Sequence, residues 1–235
     1  MRWLAPLGGL GLVLAVAAAP QAGRAQSPVV VEFFTSQGCS ACPPADAFFA
    51  ELAERADVVA LALHVDYWDY LGWQDVFGRA EHTERQRAYA KANGERTIYT
   101  PQMIVQGENL LFGHEEGPVR ERIAAHEAKP ERVKLALRRA GGGVEITLEP
   151  AGGAVGTAEV HVVEYAPERT MTIEGGDNQG YHHTFKNVVT SWATVGRWDG
   201  ASSVTLRHDA DLGEHVAVLV QRTGHGAILS AATLP

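Results

Sequence analysis

The most constraining feature of the chain is a pair of cysteines, Cys39 and Cys42, separated by two residues and set between two strongly patterned segments. Val29 to Phe34 (VVVEFF) is a short β-branched and aromatic run, the signature of a strand buried on both faces. Ala45 to Ala56 (ADAFFAELAERA) places Phe48, Phe49, Leu52 and Ala53 on one side of a helix. The motif Gly38-Cys39-Ser40-Ala41-Cys42-Pro43 therefore falls at a strand-to-helix turn. A lone C-x-x-C is weak evidence, but in this setting it reads as a dithiol redox site. The attacking species is a thiolate, and unpaired N–H groups at a helix N-terminus favour it. Cys39 is expected to be the outer nucleophile and Cys42 the resolving thiol. Two other uses stay open: a structural disulfide, or a Cu(I) site with Cys39, Cys42 and His64 as ligands. A structural zinc site would need four protein ligands, and these are the only two cysteines in the chain.

The first 25 residues read as a secretory leader. Arg2 supplies positive charge, Leu10 to Ala19 is a short apolar run, and Gly23-Arg24-Ala25 offers small residues for cleavage after Ala25. The expected location is periplasmic or secreted, where a disulfide persists. No later segment is apolar enough to span a bilayer, so no transmembrane segment is expected after cleavage. With 20 Lys+Arg against 28 Asp+Glu the net charge is −8, and loss of Arg2 and Arg24 makes the mature chain more acidic still. That balance excludes a general nucleic-acid binder.

Strand and helix signals alternate through the N-terminal half. Val58 to Val65 reads as a second buried strand, Arg79 to Asn93 as a helix, and Gln102 to Gln106 with Asn109 to Phe112 as a hairpin. Glu116 to Ala128 reads as a last helix, stopped by Pro130. The expected sheet has its first two strands parallel and its last two antiparallel. Beyond Lys129 the texture changes to short strands at Arg132–Ala140, Val144–Glu149, Ala158–Tyr165, Val204–Arg207, Val216–Gln221 and Ala227–Ala231. This pattern suggests a β-sandwich. The fold class is thus α/β: an N-terminal domain over residues 27–129 and a β-rich, sandwich-like domain over 131–235.

Further candidates surround the cysteines. Thr100-Pro101 precedes a strand, and Pro101 is expected in cis, leaving the Thr100 backbone free to pair with an extended substrate. Glu32 interrupts an apolar strand; it either relays a proton to Cys42 or pairs with a base at the sheet edge. The segment His64-Val65-Asp66-Tyr67-Trp68-Asp69-Tyr70-Leu71-Gly72-Trp73 follows a strand's carboxyl end, where ligands bind in open α/β sheets. His64 and Asp66 are placed to tune a thiolate and Trp68 to meet substrate, while Tyr70 and Trp73 read as packing residues. His182, His183 and the string His208-Asp209-Ala210-Asp211 read as exposed loop residues.

Four strings, VVVEFFTSQGCSACPPAD, HVDYWDYLGWQDVFG, TERQRAYA and YTPQMIVQG, together resemble the DUF1223 proteins. The later GGDNQGYHHTFKNVV matches the same family more loosely. The resemblance implies a secreted or periplasmic bacterial protein with a thioredoxin-like domain. In the wider thioredoxin-like group a dithiol, a proline and a buried carboxylate recur. Cys39, Cys42 and Pro101 match the first two, and Glu32 matches the carboxylate with an offset of one residue. The expected activity is thiol–disulfide exchange on a protein dithiol or disulfide, with a redox partner and no soluble cofactor; copper handling is the alternative.

Overall fold

The computed structural model describes residues 27–234, so the expected leader lies outside the described residues. The elements run β1 (Val29–Thr35), α1 (Pro43–Ala53), β2 (Val58–His64), α2 (Ala80–Ala92), β3 (Gln102–Val105), β4 (Asn109–Phe112) and α3 (Glu116–Glu127). They continue β5 (Val133–Ala140), β6 (Gly143–Pro150), β7 (Ala158–Thr172), β8 (His182–Trp198), β9 (Val204–His208), β10 (Val216–Arg222) and β11 (Ile228–Thr233). The fold is mixed α/β. Among the described residues no helix is long and apolar enough to cross a membrane.

One sheet runs through both halves of the chain, in the order β11-β10-β7-β8-β2-β1-β3-β4. β1 and β2 are parallel, and β3 and β4 are antiparallel, as the patterning implies. β8 then pairs in parallel with the outer edge of β2. The residues after 131 therefore do not build a free-standing sandwich. Their strands β7, β8, β10 and β11 extend the N-terminal sheet, and only β5, β6 and β9 form a second one. That smaller sheet lays Val133, Val144, Ile146 and Leu148 on Val160, Val162, Val216, Val218 and Val220. Packing between sheet layers is thus present, but the large sheet draws strands from both sides of residue 130.

The large sheet curls until β11 returns to the β3–β4 turn. Ile228 N donates to Gln106 O at 2.9 Å, and Gln106 Nε2 donates to Ile228 O at 2.7 Å. Gly107 makes this closure possible. Its φ is +69°, and a Cβ there would lie 2.6 Å from Gly226 O.

Strand alternation in β1 divides two cores. Val29, Val31 and Phe33 face α1 and α3 through Phe48, Phe49, Leu52, Val119 and Ile123. Val30 and Phe34 face the other way, toward Tyr89 of α2 and the curled strands. Glu32 shares this second face, opposite the one on which α1 and its cysteine lie. The structure pairs it with a base, but not at a sheet edge, since β1 lies between β2 and β3. Arg85 of α2 grips it in a two-pronged ion pair at 2.5 and 3.0 Å, and Tyr89 Oη donates to it at 2.5 Å. Arg85 also donates to Gln221 Oε1 at 3.0 Å and lies 3.9 Å from the Trp192 ring centroid. This network ties β1, α2 and β10 together.

Removing one partner leaves a charge buried without compensation. Arg85→Met is expected to lower unfolding free energy by about 3–5 kcal/mol, and Glu32→Leu combined with Arg85→Met to recover most of it. Urea unfolding measures both. A loss below about 1 kcal/mol in the single variant would show that the pair is not a structural pin.

Candidate functional site

β1 delivers the chain to a tight turn and then into α1. Gly38 N donates to Ser36 Oγ at 3.1 Å, and Cys39 N donates to Ser36 O at 3.1 Å. Cys42 is the N-cap of α1, followed by prolines that need no intrahelical N–H. Despite the proline after it, Cys42 keeps helical angles, φ −79° and ψ −34°. Cys39 and Cys42 are joined in a disulfide, with Cα atoms 5.4 Å apart.

The expectation that Cys39 is the exposed member fails. Cys39 is 2% exposed and Cys42 is fully buried, while Ser40 and Ala41 between them are exposed. The loop that carries Cys39 is also contacted from the far half of the chain. Strands β7 and β8 form a long hairpin whose connecting segment, residues 173–181, lies against the motif. There the Asn178 side-chain amide donates to Gln37 O and to Cys39 O, both at 2.9 Å. Trp73 Nε1 donates to Gln37 Oε1 at 2.7 Å, and Gly175 and Gly176 pack on Trp73.

Beneath the disulfide lies a cluster of polar groups shut off from water. Asp46 is one helical turn past Cys42, hence on the same face of α1. It accepts a hydrogen bond from Thr35 Oγ1 at 3.0 Å. Burial pushes its pKa up to about 7, against the opposing pull of nearby His64. Thr35 and His64 are register partners on β1 and β2, so their side chains stand side by side. His64 donates from Nδ1 to Asp75 Oδ2 at 2.7 Å, with both side chains buried. Burial works against charge on His64, but the Asp75 carboxylate outweighs it and raises the imidazole pKa. Burial likewise opposes charge on Asp75, yet His64 and the N–H groups of Gln37 and Phe77 hold that carboxyl below its usual range. Among the described residues His64 Nε2 has no hydrogen-bond partner.

The rim is aromatic. Trp68 Nε1 donates to Thr100 Oγ1 at 2.7 Å, and the Thr100–Pro101 peptide is cis. Gly38 sits so close to Trp68 that a Cβ would lie 3.1 Å from the Trp68 Cβ. Trp68 therefore spans from the cysteine loop to the residue before Pro101. Pro101 is itself buried, against Gly113. Trp73 packs, as expected, but Tyr70 does not. It rides on a short 3₁₀ turn, Asp69–Leu71, and is 77% exposed.

Not every candidate converges here. Glu32 lies across the sheet, and Asp66 is occupied by Thr83 Oγ1, which donates to it at 2.6 Å. His64 lies in the buried cluster with its Nδ1 engaged. Among the described residues no three His, Cys, Asp or Glu side chains are grouped to hold a metal ion. His182 and His183 lie on β8 and His208 on β9, in strands rather than loops. Asp46, Asp75 and Asn178 were not singled out from sequence. Asp46 had a usable signal, the four-residue step from Cys42. Asn178 had none, because its contacts reach across 139 and 141 positions, and the bond by which Asp75 holds the cysteine loop spans 38.

Comparison with known proteins adds the family. The family model described as "Protein of unknown function (DUF1223)" matches residues 30–221. A protein from Agrobacterium tumefaciens, solved by X-ray crystallography, is 34% identical with a TM-score of 0.75; the match covers 90% of this chain and 95% of that one. HBP35 of Porphyromonas gingivalis is 17% identical with a TM-score of 0.54, covering 89% and 75%, a likeness of fold alone. No curated protein matches. With most of its length inside the family's boundaries, and a solved relative spanning nearly all of it, the chain belongs to DUF1223.

Proposed function

We propose that this chain exchanges thiols and disulfides with a protein substrate outside the cytosol, through a thioredoxin-like arrangement of Cys39, Cys42 and Pro101. The observation that carries the reading is the disulfide at the start of α1 with a buried acid, Asp46, one turn below Cys42. Support comes from the parallel β1–β2 pair, the antiparallel β3 beside β1, and the cis peptide that leads into β3. The leader-like first 25 residues and a bonded cysteine pair agree with an oxidising compartment.

In the oxidising direction a substrate thiolate attacks Cys39 Sγ. The Cys39–Cys42 bond breaks, a mixed disulfide forms, and the Cys42 sulfur leaves carrying the electron pair. Asp46, whose pKa is raised to about 7 so that its acid form is well populated near neutral pH, supplies the proton that Cys42 takes up. A second substrate thiolate then attacks the substrate sulfur of the mixed disulfide and releases Cys39. Two electrons have passed from substrate to protein, and the substrate leaves oxidised. The reverse sequence reduces a substrate disulfide. A redox partner restores the starting state in either direction. Thr100 and Trp68 form the groove wall beside this chemistry. Asp66 has no part in it, because its carboxylate serves Thr83. No observation favours the copper reading.

Two measurements test the proposal. Cys42→Ser expressed in its native envelope should accumulate mixed disulfides through Cys39, visible as discrete adducts that vanish with reductant. Absence of adducts from a folded, exported variant would end the exchange reading. Asp46→Asn tests the acid. A carboxyl whose pKa is raised from 3.8 to about 7 on folding holds its proton more tightly in the folded chain. Its contribution to stability is full below about pH 4, falls as pH rises toward 7, and stays low above that. The variant should therefore match wild type near pH 4 and exceed it at pH 8 by up to ~4 kcal/mol. Exchange near pH 7 should slow at least tenfold. Parallel stability curves for the two proteins would refute the assignment.

A further inference from the structure

The disulfide is buried, and the loop that carries Cys39 is contacted by a segment that belongs to neither β1 nor α1. Ser40 and Ala41 face solvent, so the motif itself lies at the surface. The contacting segment is the connection within the β7–β8 hairpin. This segment is a preformed unit: Ile173 N donates to Tyr181 O at 2.9 Å, Gly180 N to Ile173 O at 2.8 Å, and Tyr181 N to Asn178 O at 3.0 Å. Its own turn bonds would survive a swing away from the motif. The polar contacts to be broken are two side-chain bonds from Asn178, to Gln37 O and Cys39 O. Ile173 is buried against Trp73, Phe77 and Met171 and anchors the base, while Glu174, Asp177, Gln179 and Gly180 are exposed.

We propose that residues 174–180 are a lid over the Cys39–Cys42 disulfide, latched by the Asn178 carboxamide, and that the sulfurs react only when the lid lifts. The inference rests on the exchange reading for its purpose, but not for its test. A preformed tip held by two neutral hydrogen bonds opens locally far more often than the whole chain unfolds. Lifting it frees the Gln37 carbonyl, and the second acceptor position of the Cys39 carbonyl that also holds Cys42 N–H, where N–H donors of an incoming polypeptide can take the place of the Asn178 amide. The lid thus occupies the approach that a partner must use.

Two substitutions weaken the lid by different means. Asn178→Ala removes both latch bonds. Gly175→Ala keeps them but adds a Cβ that would lie 2.9 Å from Gly72 O and 3.4 Å from Trp73 Cε3, wedging the segment outward. The experiment is reduction of the oxidised full-length mature protein by dithiothreitol, followed by alkylation and mass measurement. One dithiothreitol thiolate attacks Cys39 Sγ and releases Cys42. Its second thiol then closes the dithiothreitol ring and frees Cys39, so two electrons move and no other reagent is needed.

Asn178→Ala should be reduced about tenfold faster than wild type, the scale of two lost hydrogen bonds, and Gly175→Ala, through its steric wedge, at least about threefold faster. In low urea the wild-type rate should hardly change, because lid opening exposes little surface. Rates within twofold of wild type in both variants, with native circular dichroism, would overturn the lid. So would a wild-type rate that climbs steeply with urea, since reduction would then require global unfolding. That second measurement stands even if a variant fails to fold. Loss of adducts in the Cys42→Ser trap with a lid that still gates dithiothreitol would remove the exchange reading and leave the lid intact.

Discussion

The Asp75 carboxylate is the fixed point around which the site is arranged. It is almost fully buried, and a buried carboxylate is tolerated only where donors surround it. Three do: His64 Nδ1 from the end of β2, the Gln37 N–H from the loop before Cys39, and the Phe77 N–H from the aromatic segment. One side chain thereby fixes the cysteine loop, the imidazole orientation and the aromatic segment at Phe77. Moving any of them strands a charge away from water. The loop before the disulfide is rigid for that reason, and Trp73 gains a defined partner in the side chain of Gln37.

Much of the N-terminal half was legible in the sequence because its signals are local. Burial on both faces makes β1 and β2 continuous apolar runs, and the helix after the cysteines carries a clear apolar stripe. The cis proline and the disulfide were expected from the motif's position. Glu32 shows where such reasoning stops. Its one-residue offset from the position matched by resemblance is a full reversal in a strand, where neighbouring side chains point to opposite faces. The carboxylate therefore meets Arg85 and Tyr89 on one face, while the acid near the cysteines comes from the helix on the other.

The C-terminal half was harder to read. The strand expected at Ala158–Tyr165 continues to Thr172, and β8 was missed. Both strands run past the core into solvent, so their outer residues, such as Glu168, Arg169 and Lys186, lack apolar alternation. What holds them is pairing with each other from Ala158–Trp198 out to Thr172–His182, a register invisible in either segment alone. The same extension carries Asn178 across to the cysteines. Strands from both sides of residue 130 share one sheet for this reason too. β8 docks on the edge of β2, which makes the second half of the chain part of the site.

Closure over the cysteines also couples cover to oxidation state. A disulfide is neutral and apolar, so burying it beneath residues 174–180 carries little electrostatic penalty. A thiolate in the same place would lose its hydration and gain only the helix N-terminus and the neighbouring polar groups. Asp46 and the His64–Asp75 pair already crowd that space with titratable groups. If the pair exchanges as proposed, the covered arrangement holds the disulfide better than a form that carries a Cys39 thiolate. By linkage, whatever favours cover favours the bond, and reduction favours exposure. Under the proposed lid, the long hairpin would make the accessibility of Cys39 depend on whether Cys39 carries a thiolate or a disulfide bond.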